Sequence, residues 1–77
     1  MTTRAYVLIT AEVGKARDVA EGLRKLPGVA AADIVTGAYD IVATLEGGDT
    51  DAIGRLVLNQ IHGMPGLKAT TTLIAVG

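Results

Sequence analysis

The sequence has no cysteine, serine, tryptophan or phenylalanine, only one histidine, and no apolar run near the length of a membrane span. Each absence closes off a class of chemistry. Without cysteine there is neither a disulfide framework nor a thiol nucleophile, and without serine the usual nucleophile triads go too. A lone His62, with no cluster of ligand-spaced partners, makes no metal site, and a single Gly14 between a strand-like and a helix-like stretch is too little for a phosphate-binding loop. No cofactor is expected. A helical span needs about 20 apolar residues, so a soluble chain is expected, without membrane contact. No charged and apolar leader precedes the first strand-like stretch, and a cysteine-free chain fits a reducing compartment; the cytoplasm is the default. Seven Lys and Arg against eight Asp and Glu give a formal charge of −1. The cations are scattered singly, so no basic stripe is available to neutralise phosphates, and direct nucleic-acid binding is not expected.

What is present is a small, apolar chain: 77 residues, 49% hydrophobic. One domain of this size buries only about 60% of its unfolded surface, so association with a partner is expected to supplement its core. Taken in order, residues 5–10 are rich in strand formers. Ala16, Val19, Ala20, Leu23 and Leu26 then fall on one helical face, and Pro27-Gly28 ends that helix. Residues 29–36 and 39–46 read as two strands about a turn at Gly37. Asp49, Thr50 and Asp51 offer a helix cap and favourable charge before a second helix whose core face is Ile53, Leu56, Val57 and Ile61. Met64-Pro65-Gly66-Leu67 repeats the earlier Leu26-Pro27-Gly28-Val29 junction and leads to a last strand over 67–76.

This order, strand-helix-strand-turn-strand-helix-strand, predicts an α+β, ferredoxin-like domain: a four-stranded antiparallel sheet with both helices on one face. Strand residues Tyr6 to Ile9, Ile41 to Ala43 and Leu73 to Val76 stay apolar through both parities, so the second face is expected to be covered as well. A second copy packing sheet to sheet, a dimeric α/β barrel, would cover it.

The stretch Val35-Thr36-Gly37-Ala38-Tyr39-Asp40-Ile41-Val42 is the place to look for a site. If Tyr39 and Asp40 open the outgoing strand, they point to opposite faces. Asp40 has two readings: it receives a ligand ammonium group, or it ties its own turn, the commoner use of aspartate by residue type. Tyr39 either walls a pocket or packs at an edge. The hydroxyls of Thr70-Thr71-Thr72 suit a ligand carboxylate or simply strand propensity. His62 is expected to cap a helix C-terminus.

Together, the Val35 to Val42 stretch and the later Met64-Pro65-Gly66-Leu67-Lys68-Ala69-Thr70-Thr71-Thr72 resemble the effector-binding domain of the Lrp/AsnC regulators, over nearly the whole chain. The resemblance implies sheet-to-sheet dimers that assemble into a larger ring, an octamer or similar, with a small effector, typically an amino acid, where dimers meet. It implies an effector loop at Gly37, Ala38, Tyr39 and Asp40, with Asp40 on the amino group and Thr70 and Thr72 nearby. Regulators of this family carry a helix-turn-helix module before the domain, whereas Met1-Thr2-Thr3-Arg4 leads straight into the first strand. A stand-alone effector domain, acting by itself or with full-length regulators, is therefore expected, with no catalytic residues. Two other readings share the fold: a small cofactor-free enzyme of the dimeric α+β barrel type, and a purely structural oligomerisation module. An ACT-like domain, with its site near Glu12 to Gly14, has the same element order.

Overall fold

A computed structural model describes residues 2–76. Strand β1 (Thr3–Ala11) is followed by α1 (Ala16–Arg24), β2 (Val29–Ile34), β3 (Ile41–Gly47), α2 (Thr50–Leu56) and β4 (Leu67–Ile74). A π-helical turn, Val57–Ile61, continues α2. The strands form one sheet in the order β2-β3-β1-β4, with every neighbouring pair antiparallel. This is the ferredoxin-like arrangement expected from the element order.

One face of the sheet makes the core. Ala5, Val7 and Ile9 of β1 pair across to Leu45, Ala43 and Ile41 of β3, and all six are buried. Val19, Ala20 and Leu23 of α1, with Ile53, Val57 and Ile61, complete that core. Helices of nine and seven residues are marginal by themselves, so this burial rather than propensity keeps them formed. Local bonds fix their ends. Asp49 accepts from the Ala52 N–H at 2.8 Å as the cap of α2. The Arg24 guanidinium donates to the Ala32 carbonyl from Nε and Nη2 at 3.0 and 2.7 Å, tying the end of α1 to the edge strand β2.

The other face is open in the single chain. Tyr6, Leu8, Thr10, Val42 and Thr44 lie half-buried on it, and Leu73 is 49% exposed. Alternation of buried and part-exposed positions along β1 and β3 follows from this one-sided cover.

Several boundaries differ from the sequence reading. β1 is longer at both ends, β4 stops at Ile74, and α2 gives way to the π turn. The largest difference is at the hairpin. β2 ends at Ile34 and β3 starts at Ile41, so Tyr39 and Asp40 belong to the connection and not to the strand. Their expected placement on opposite strand faces is therefore corrected. Strand propensity runs through this stretch, but the Gly37 tip and the Asp40 hydrogen bonds described below draw the chain out of the ladder.

Candidate functional site

Three connections meet at one end of the sheet: residues 12–15 after β1, residues 35–40 between β2 and β3, and residues 62–66 before β4. Backbone bonds lock them together. The Asp40 N–H donates to the Ile9 carbonyl and the Val35 N–H to the Asp40 carbonyl, both at 2.8 Å. The Glu12 N–H donates to the Gly66 carbonyl, also at 2.8 Å. Gly66 has φ +88°, and a Cβ there would stand 2.9 Å from Lys15 Cβ, so both its backbone and the close approach of α1 require glycine.

Asp40 does more than close its hairpin. The β1–β4 register shifts between Thr10 and Ala11, and at that irregularity the Ala11 N–H donates to Asp40 Oδ2 at 2.8 Å. Ala11 lies beyond the last β1–β3 pair, Ile9 with Ile41, so its partly buried N–H has no strand partner on that side and needs such an acceptor. Asp40 thus bonds across to β1 and not within its own turn. Among the described residues Oδ1 receives no hydrogen bond. The carboxylate is oriented by one oxygen and presents the other.

The remaining sequence candidates divide by position. Gly37 has φ +140°, and a Cβ there would touch nothing within 4 Å; backbone conformation alone asks for glycine. Ala38 is exposed, and Tyr39 and Asp40 are both half-buried. Thr70 pairs with Ile9, the residue whose carbonyl receives the Asp40 N–H, so Thr70 stands level with the loop on the neighbouring strand. Thr72 pairs with Val7, two residues farther from this end, and is exposed. Gly37, Ala38, Tyr39 and Asp40 thus share one loop on the β3 side of β1, while Thr70 lies on β4 on its other side, with Thr72 roughly 7 Å farther along β4.

The sequence reading gave His62 no role beyond a helix C-terminus. His62 ends the π turn, as expected of a helix C-terminus, but its ring does not turn back on the helix: Nε2 lies 3.1 Å from Thr70 Oγ1. No spacing rule in the sequence links positions eight apart across a helix-strand junction.

A concavity of the single chain lies at the opposite end. An open cleft of about 730 Å³ is lined there by Arg4, Tyr6 and Glu46 among others. The Glu46 carboxylate, 3.1 Å from Arg4 Nη2, and secondly Tyr6, raise the Arg4 pKa above its ordinary value. The geometry at the Asp40 end, with an oriented carboxylate and converging loops, is nevertheless the better candidate for recognition. Among the described residues no three metal-ligating side chains cluster, and no helix is long and apolar enough to cross a membrane.

The model of the Lrp/AsnC ligand binding domain matches residues 4–77. The chain belongs to that family. An uncharacterised HTH-type transcriptional regulator of Pyrococcus abyssi is 39% identical over 70 residues, covering 91% of this chain and 44% of that protein. The chain thus spans about half the length of the curated relatives it matches. A Thermus thermophilus protein of known structure superposes with a TM-score of 0.92 at 32% identity, over 97% of this chain and 94% of that one. A Neisseria meningitidis transcriptional regulator, solved as a complex with L-Met, shares the fold: its TM-score is 0.86 at 21% identity, over 97% of this chain and 50% of that one.

Proposed function

We propose that this Lrp/AsnC domain senses an amino acid and conveys its occupancy to transcription through oligomeric assembly. The observation that carries the reading is Asp40: one oxygen is fixed by the Ala11 N–H while the other has no donor among the described residues. A carboxylate held that way, at the meeting of three loops, suits a ligand ammonium group with little reorganisation. Gly37 sets the loop, Tyr39 forms a wall, and Thr70 supplies a hydroxyl from β4, with Thr72 farther off. The L-Met bound by the neisserial relative supports an amino acid as the effector class.

The half-open sheet face supports the assembly part of the reading. Tyr6, Leu8, Val42 and Leu73 would be covered by the same face of a second copy, giving a dimer, and dimers would join into a ring at the loop end. The same reading makes the domain a regulator's partner or component and not an enzyme, and puts it in the cytoplasm where transcription is regulated. Full-length Lrp/AsnC regulators would be its protein partners.

A thermal-shift panel of the twenty L-amino acids, with light scattering to follow particle size, tests this. At least one amino acid is expected to raise the wild-type midpoint, since ligand at a hundred times its Kd adds about 2.7 kcal/mol. Asp40→Ala should lose that gain. A wild type that no amino acid stabilises would refute sensing. The purely structural reading, favoured by the Asp40 to Ala11 bond, would then stand, and Asp40→Asn, which keeps an acceptor, should preserve assembly.

A further inference from the structure

The two edges of the sheet are finished differently. At β2 the Val35 N–H bonds to the Asp40 carbonyl, so by the alternation of an antiparallel ladder Ala32 turns its carbonyl away from β3. The Arg24 guanidinium occupies that outward carbonyl through two hydrogen bonds, at 3.0 and 2.7 Å. α1 packs along the same strand, and its register slips between Val29 and Ala31. A covered, bulged and capped edge does not readily recruit another strand.

β4, the opposite edge, is finished by none of these over residues 69–74. Ala69-Thr70-Thr71-Thr72-Leu73-Ile74 carries no charge, proline or glycine, and Thr71, Thr72 and Leu73 are exposed. The ladder also tells which of its backbone groups are free. The Ala75 N–H donates to the Arg4 carbonyl at 2.9 Å, so Leu73 and Thr71 likewise turn their N–H and C=O to β1. Thr70, Thr72 and Ile74 turn theirs outward. The side-chain bonds on this strand fall elsewhere, on the Ala69 carbonyl and the Thr70 hydroxyl.

We propose that β4 is an interaction edge that pairs antiparallel with β4 of a second copy about a two-fold axis at Thr72, and that Arg24 restricts association to that closed pair. In this register outward residues meet outward residues: Thr72 faces the partner's Thr72 and Thr70 the partner's Ile74, giving about six backbone hydrogen bonds. Lys68 lies beyond the last of these pairs, so no like charges are opposed. The occupant follows from the guarded edge. Were β2 open, β4 of one copy could take β2 of the next, a head-to-tail contact that repeats without end. With β2 capped, β4 has only its own equivalent to pair with, and the contact closes at two. It is separate from the sheet-face dimer and does not rest on the sensing reading, because a two-fold axis perpendicular to the sheet leaves both open faces on one side.

Thr72→Lys and Thr72→Glu test the pairing, since each sets like charges against one another on the axis while the Thr72 backbone groups turn away from β1. By light scattering each variant is expected to show half the wild-type particle mass, and an equal mixture of the two should return to the wild-type mass at low salt. Amide exchange followed by NMR reads the contact directly. The Thr70, Thr72 and Ile74 N–H groups should exchange on the order of tenfold more slowly in wild type than in Thr72→Lys. Arg24→Ala should form larger particles that grow with protein concentration. Wild-type mass in both Thr72 variants, or unprotected exchange at the three amides in concentrated wild type, overturns the edge pairing. Unchanged mass in Arg24→Ala overturns the guard. Circular dichroism of each variant verifies that it is folded.

Discussion

The two ends of the sheet hold their polar groups in different ways. At one end the Asp40 carboxylate bonds to a backbone N–H, partly buried, where the β1–β4 ladder breaks. At the other, Arg4 meets Glu46 through side chains that are 55% and 41% exposed. Backbone donors cannot wander, so the first arrangement fixes a carboxylate in space. Two long side chains in water hold a geometry at entropic cost and are screened by salt. The large hollow at the Arg4 end is therefore the poorer site, because little holds its charged groups in place.

The largest effects should come from the buried layers beneath each end. Ile9 is wholly buried at the loop end and Leu45 at the other. Ile9→Ala and Leu45→Ala are each expected to cost about 2–5 kcal/mol in chemical denaturation. They should differ in ligand response: Leu45→Ala keeps the amino-acid shift and Ile9→Ala, which supports Asp40 and faces Thr70, loses much of it. Equal loss in both would dissolve the distinction between the ends. Next, Asp40→Ala leaves the Ala11 N–H without its acceptor and should cost about 1–3 kcal/mol even without ligand. Asp40→Asn should be milder in stability yet equally damaging to amino-acid binding, since it removes the charge. Gly37→Ala, forced to φ +140° with open space around it, should cost on the order of 1 kcal/mol, and protease sensitivity of the 35–40 loop should rise with it.

The fold was legible because its signals are local and repeated. Asp49 caps α2, the two Pro-Gly junctions end helices, and the alternation in β1 and β3 follows the pleat. The turn at Gly37 marked the stretch to look at and the resemblance gave it a ligand role, but its contacts were not legible, and the reason is physical. Asp40 to Ala11 spans 29 positions and joins the hairpin loop to β1 beyond their last strand pair, which no residue type announces. His62 to Thr70 depends on a π turn, which the helical spacing of Ile53, Leu56, Val57 and Ile61 does not distinguish from an ordinary helix. Tyr39 and Asp40 carry strand-like neighbours, so pattern alone extends β3 two residues too far. Strand pattern reports which face a residue would take; it does not report where a side chain withdraws the backbone from the ladder.

The smallest effect is expected at the Arg4 end, and it is the sharpest check on the comparison. Arg4→Ala and Glu46→Ala, singly and together, should leave the melting midpoint of the monomer or dimer close to wild type, and raising salt should change wild type no more than the variants. Their amino-acid response should be intact. The pair does lie beside Tyr6 of the open face, which a second copy would approach in a sheet-to-sheet dimer. Desolvation there would convert an exposed, weakly held pair into a buried one, for which removing a single partner is strongly destabilising. A dimer that dissociates in either single variant but persists in the double variant would mean that this end is read by a neighbouring subunit. The contrast between the two ends would then be one between a site for a small ligand and a site for a second chain.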